Sequence, residues 1–166
     1  LLITTMPRTS LDKYLENYAE PECRLLEGLS LQETFTHCIS IPAYGEHHGF
    51  IERFLNSPLA RNTLLVTVIN QPDTFSTSAL TEQNQALFNY VQQLGELAFQ
   101  NNTVSFCRIN NRLINNRLIN NRDMNNIDMN NSGILVVDRF SVGNRIKEKQ
   151  GVGLARKIGS DLACKL

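Results

Sequence analysis

The sequence predicts an α/β domain in which a mainly parallel sheet is flanked by helices. Three observations carry that prediction. Short apolar, β-branched runs at residues 36–41, 64–69 and 133–137 each end in turn-forming residues, as buried strands do. Between them lie stretches with apolar residues three and four apart, the spacing of a helix with one buried face. After the last run comes a glycine-rich helix start, Gly151-Val-Gly-Leu-Ala-Arg-Lys-Ile-Gly159. Strand and helix alternate, the pattern of crossover connections between parallel strands.

Taken in order, Ser10 is the expected cap of a first helix carrying Leu11, Tyr14, Leu15 and Tyr18. Pro21 stops it, because the residue before a proline avoids helical geometry. Residues 1–35 thus read as an N-terminal helical extension, and residues 36–166 as the domain. The first strand enters a loop broken by Pro42 and Gly45, and Phe50, Ile51, Phe54 and Leu55 mark the next helical face. The second strand ends at Asn70-Gln-Pro-Asp73, followed by a helix bearing Leu87, Tyr90, Val91 and Leu94. Val104 to Ile109 read as a third strand. Gly133-Ile-Leu-Val-Val137 resumes strand character and leads through Asp138 and Arg139 to the glycine-rich helix. There Val152, Ala155, Gly159 and Ala163 are small or slim, while Leu154, Ile158, Leu162 and Leu166 recur every fourth residue, so one face can lie close against a sheet. Arg156 and Lys157 either hold an anion or stay as two solvated cations.

A low-complexity insertion at 108–131 interrupts this pattern. Asn-Asn pairs recur every five residues from 110–111 to 130–131, separated by Arg-Leu-Ile, Arg-Asp-Met or Ile-Asp-Met. A five-residue step advances about 140° around a helix, so its apolar residues hold no single face, and strand alternation fails as well. The expectation is a flexible or poorly ordered insertion; the ordered alternative, a right-handed β-helix of pentapeptide repeats, calls for a small residue two before the central Leu, where Leu113 and Leu118 have Asn.

Composition narrows the function classes. The chain has 166 residues, 42% of them hydrophobic, enough for one domain with a core. Sixteen basic and sixteen acidic residues cancel, so no global field recruits nucleic acid or an anionic membrane. The four cysteines, Cys23, Cys38, Cys107 and Cys164, show no C-x-x-C spacing, which fits a reducing, cytoplasmic setting. No apolar run approaches the roughly 18 residues of a transmembrane helix. A start at Leu1 rather than Met, and an end inside a helical pattern without a stop signal, suggest a piece of a longer protein.

Three motifs, in order, resemble the N-terminal half of the family 2 glycosyltransferases, which have the Rossmann-like GT-A fold. Ile39-Ser-Ile-Pro-Ala-Tyr-Gly-Glu46 is similar to that family's first strand and its I-P-x-Y-N-E loop, with Gly45 in place of Asn. Leu65-Val-Thr-Val-Ile-Asn-Gln-Pro-Asp73 is similar to the second strand and its acidic turn, with Asn70 where the base-binding Asp is expected. Gln150 to Gly159 is similar to the G-x-x-x-A-R-N-x-G helix, with Lys157 in place of Asn. The resemblance implies a partial GT-A domain that binds a nucleotide diphosphate-sugar through Pro42, Ala43, Tyr44, Glu46, Asn70, Asp73 and Arg156, with the acceptor unidentified. It also implies a divalent metal, Mg or Mn, in the full-length parent only. The sequence contains no Asp-x-Asp, the motif that would hold that metal, so the expectation is a chain that does not turn over by itself.

Other readings stand beside this one. A noncatalytic nucleotide-binding domain, or a degenerate gene fragment, fits Asn70, Lys157 and the repeat. A Rossmann dinucleotide loop at Gly151-x-Gly153 fails, since Arg156 occupies its third glycine position and Lys147-Glu-Lys-Gln150 is no strand. Self-association through amide ladders of the repeat is opposed by its Arg and Asp interruptions. Glu46, Asp73 and Asp138 can each be a helix-start or turn residue instead of a ligand group. Adjacent His47 and His48 diverge if helical, which argues against a metal pair. Deleting residues 110–131 is expected to leave nucleotide binding unchanged, as read by calorimetry.

Overall fold

The computed structural model describes residues 8–74, 77–109 and 132–166. Five strands form one sheet: β1 (His37–Ala43), β2 (Thr63–Asn70), β3 (Gly95–Gln100), β4 (Val104–Ile109) and β5 (Gly133–Arg139), in spatial order β1-β2-β5-β4-β3. Strands β1, β2 and β5 run parallel, with Ala43 opposite Ile69 and Ile69 opposite Asp138. Strands β4 and β3 run antiparallel to their neighbours. The sheet is therefore mixed, where a mainly parallel one was predicted. The difference arises at β3, whose largely exposed residues, Gly95-Glu-Leu-Ala-Phe-Gln100, carry little burial signal. It is held by pairing with β4 across a short turn, in which Asn101 Oδ1 accepts from the N–H groups of Thr103 and Val104 at 2.9 and 2.7 Å.

Burial follows position in the sheet. All eight residues of β2 are buried, and six of seven in β5, because both are covered on two faces. Edge strand β1 is mostly half-buried, and its unpaired side tolerates Pro42, which has no N–H to donate. The predicted insertion boundary at 108 shifts, since Arg108 and Ile109 belong to β4. The remainder of the repeat lies outside the described residues.

Helices cover both faces. Helices α2 (Gly49–Leu55) and α3 (Ser78–Gln92) pack through Ile51, Leu55, Leu87 and Val91 against Leu65, Ile69, Ile134 and Val136. On the other face α4 (Gly151–Lys165) brings Ala155, Ile158 and Leu162 against Leu64, Val66, Val68, Leu135 and Val137. The two sets alternate along β2 and β5, as a strand's period of two requires. Cys23 and Leu26, from the short 3-10 segment Pro21–Leu26, join the α4-side cluster. No helix among the described residues is long and apolar enough to cross a membrane.

Helix α1 (Ser10–Asn17) departs from its sequence reading. Thr9, not Ser10, is the cap: its hydroxyl accepts from Asp12 N–H, and Asp12 returns a bond to Thr9 N–H. None of its residues is buried; Tyr14 instead donates its hydroxyl to Asp161 at 2.8 Å.

The closest approach of helix to sheet is at Gly159. A Cβ there would lie 2.0 Å from Ser40 Oγ, 3.2 Å from Ser40 Cβ and 3.4 Å from a Val68 methyl. Gly159→Ala is expected to destabilise the fold by about 1–3 kcal/mol through overpacking. Adding Ser40→Gly should recover part of that loss, and urea unfolding of the single and double variants checks it.

Candidate functional site at the strand ends

The C-terminal ends of β1 and β2 lie side by side, and the loops leaving them are tied together. Asn70, buried at the end of β2, donates Nδ2–H to the Ala43 carbonyl at 2.9 Å. One residue past Tyr44, Gly45 has a φ of +63°, a conformation that favours glycine. Its N–H donates to Oδ1 of Asn84 on α3 at 3.0 Å. Asn84 in turn donates Nδ2–H to Gln71 Oε1 at 3.2 Å, and Gln71 Nε2 donates to Thr81 at 3.1 Å. Gln71 and Asn84 are both fully buried, so their amides meet the requirement that buried polar groups find partners.

Tyr44, between the two anchored points, is 48% exposed. Ala43 is fully buried and bounds the loop through backbone only, and Pro42 is half-buried in β1. Glu46 is exposed. Asp73 binds locally: its Oδ1 accepts from Glu148 N–H at 3.2 Å, and its own N–H donates to the Ile146 carbonyl at 2.9 Å. Asp138 is a turn cap. Its Oδ1 accepts from Phe140 and Ser141 N–H at 3.0 and 2.9 Å, and Oδ2 accepts from Asn144 at 3.3 Å. Arg139 turns instead to Glu22, 3.3 Å away.

Gly159 lies against Ser40 near the middle of β1, so the first turns of α4 extend toward this same edge. Arg156 is exposed on this helix and has no ion-pair partner among the described residues. Its neighbour Lys157 is committed elsewhere: Nζ lies 2.7 Å from Asp161 and 3.0 Å from Glu20, and donates to the Tyr18 carbonyl at 2.6 Å. Of the two cations read as anion holders, only Arg156 is available.

His47 and His48 do not diverge as expected. Both precede α2, and their ring centroids are 3.7 Å apart. His48 stacks on Tyr90 at 4.3 Å and places Nε2 3.3 Å from Glu52 Oε1, which also accepts from the Tyr90 hydroxyl at 3.2 Å. No group of three or more His, Cys, Asp or Glu side chains that could hold a metal ion occurs among the described residues.

Cavities also occur away from these loops. One of about 450 Å³ is lined by Arg8, Asp12, Glu16, Arg24, Glu27 and Lys165, and another of about 490 Å³ opens beside the start of β1. None of the predicted site residues lines either. The network members Gln71, Thr81 and Asn84 were not picked out from the sequence. A signal for Asn84 exists: it lies three residues before Leu87 and seven before Val91, a polar residue on the buried stripe of α3.

Burial pushes the Cys107 thiol up to about 12 and the Cys23 thiol up to about 11, so both are protonated at neutral pH. Comparison of the chain with protein-family models, curated proteins and solved structures gives no match.

The Lys157 cluster joins the N-terminal segment to α4. Burial opposes ionisation of Asp161, but hydrogen bonds from Lys157, Glu20 N–H and the Tyr14 hydroxyl outweigh it and hold the carboxyl below its ordinary 3.8. A depressed folded value means this contribution is complete above the unfolded value and is lost as pH falls through the folded one. Asp161→Asn is therefore expected to cost about 1–3 kcal/mol at pH 7 and less below pH ~4. Thermal melts across pH 3–7 check it.

Proposed function

We propose that the strand-end loops form a nucleoside-diphosphate site, and that the chain is the donor-binding part of a glycosyltransferase resembling family 2. One observation carries this reading: parallel β1 and β2 deliver their C-terminal ends together, tied by the Asn70–Ala43 bond, with Tyr44 exposed beside them. Ligands of open α/β sheets bind outside the carboxyl ends of the strands. In this reading Tyr44 stacks on the base, the buried amides hold the loop beneath it, and the Arg156 guanidinium donates to the diphosphate oxygens. Backbone at Ala43 and Gly45 frames the base, while Glu46 and Asp73 border the opening.

A second reading, a noncatalytic nucleotide-binding module, is favoured by how the nearby carboxylates are used. Asp138 has both oxygens engaged by N–H groups, and Asp73 has one. Their lone pairs serve turns in place of a metal or a reacting proton. Both readings require nucleotide binding, and they separate on whether sugar is transferred.

The test is calorimetric titration of the chain with UDP, GDP, CDP and ADP. Binding of at least one is expected, and Tyr44→Ala should weaken it by about 1–3 kcal/mol. Arg156→Ala should weaken it by about 1.5–3 kcal/mol while leaving affinity for the bare nucleoside unchanged. Absence of binding by all four at millimolar concentration overturns the reading.

A further inference from the structure

We infer that Asn84 is the positioning residue of this site: it holds the backbone beside Tyr44 so that the ring is presented in one direction before any ligand arrives. The inference takes from the preceding section only the role of Tyr44 as a base-stacking surface. Backbone on both sides of Tyr44 is tied down. Before it, the Ala43 carbonyl accepts from Asn70; after it, the Gly45 N–H donates to Asn84. The positive φ of Gly45 turns the loop toward α3, where a Cβ at this position would lie 2.8 Å from a Leu80 methyl. With Ala43 and Gly45 both anchored, the Cα–Cβ direction of Tyr44 is set although the side chain itself is half exposed.

Asn84 suits the task because one amide serves two loops. Its Oδ1 takes the β1 loop and its Nδ2–H takes Gln71 from the β2 loop, so the spacing between the loops is fixed by a rigid planar group. It is fully buried on the stripe that includes Leu87 and Val91, where an apolar residue would pack without needing partners. Asn84 touches no solvent and so acts on ligand only through Tyr44 and Gln71. Ordering a loop in advance removes a cost that binding would otherwise meet, which raises affinity without a new contact.

The experiment reads loop order and affinity separately. The chain contains no tryptophan, so Tyr44→Trp introduces a single fluorescent reporter at the site. In that background Asn84→Leu keeps the volume but withdraws both hydrogen bonds, and is expected to lower the reporter's steady-state anisotropy and speed exchange of the Gly45 amide. In the otherwise native chain the same substitution should weaken nucleoside-diphosphate binding by about twofold to tenfold. Asn84→Asp should retain both properties at pH values where its carboxyl is protonated, since its carbonyl oxygen then accepts from Gly45 N–H and its O–H donates to Gln71 Oε1, and should lose them where the buried group must ionise. If Asn84→Leu fails to fold, Asn84→Ser withdraws the acceptor from Gly45 while keeping a hydroxyl for Gln71. Unchanged anisotropy and Gly45 exchange overturn the inference, as does unchanged affinity with a loosened loop. If the native chain binds no nucleotide but the loop loosens, the nucleotide reading falls and the positioning of Tyr44 stands.

Discussion

The close seat of α4 on β1 and β2 governs the rest of the molecule. At Gly159 the helix backbone lies where any side chain would meet Ser40, and this draws Ala155, Ile158 and Leu162 into the core against Leu64, Val66 and Val68. A helix held this near a sheet has little freedom to slide or rotate, because interiors packed at crystal-like density resist small displacements. The position of Arg156 and that of the Lys157 cluster follow from the same contact. One residue apart, these two cations differ: Arg156 is exposed on α4, whereas Lys157 ties α4 to Glu20 and the carbonyl of Tyr18.

Polar groups at the strand ends divide by what surrounds them. Asp138 sits just where a chain leaves a buried strand and successive N–H groups need acceptors, so its carboxylate is drawn into capping Phe140 and Ser141. The backbone on either side of Tyr44 is tied by Asn70 and Asn84, the latter bonded to Gln71, all uncharged groups that both donate and accept. Neutral amides close such a network without the desolvation that a buried carboxylate would suffer. Tyr44, Glu46 and Arg156 remain exposed to solvent.

Charge is balanced overall and organised locally. Glu33 bonds Arg108 on β4, Glu22 faces Arg139 on β5, and Lys157 on α4 meets Glu20, so residues 20–33 supply three acids to three cations of the domain. Glu22 is buried, and its second oxygen and the Arg139 Nε lack hydrogen-bond partners among the described residues. An incompletely satisfied buried pair adds little net stability but disfavours any docking that would leave either charge alone.

By itself, the sequence determined the elements whose signals are local. Uninterrupted β-branched runs marked β2 and β5, because strands covered on both faces need apolar residues at every position. Periodicity marked α3 and α4, and the small residues of α4 foretold its close approach. Tertiary structure alone decided what depended on distant partners. Strand β3 exists through its pairing with β4, so its own residues carry no burial pattern. Thr9 outcompeted Ser10 as cap because Asp12 completes a reciprocal pair with it. The roles of Asp73, Asp138 and Lys157 turned on backbone groups and acids brought close only by folding. Among the candidate site residues, Tyr44 and Arg156 were read from motifs, and the structure shows both of them exposed. The tie through Asn84 joins positions 39 residues apart in the chain, a separation over which no periodicity or spacing carries information.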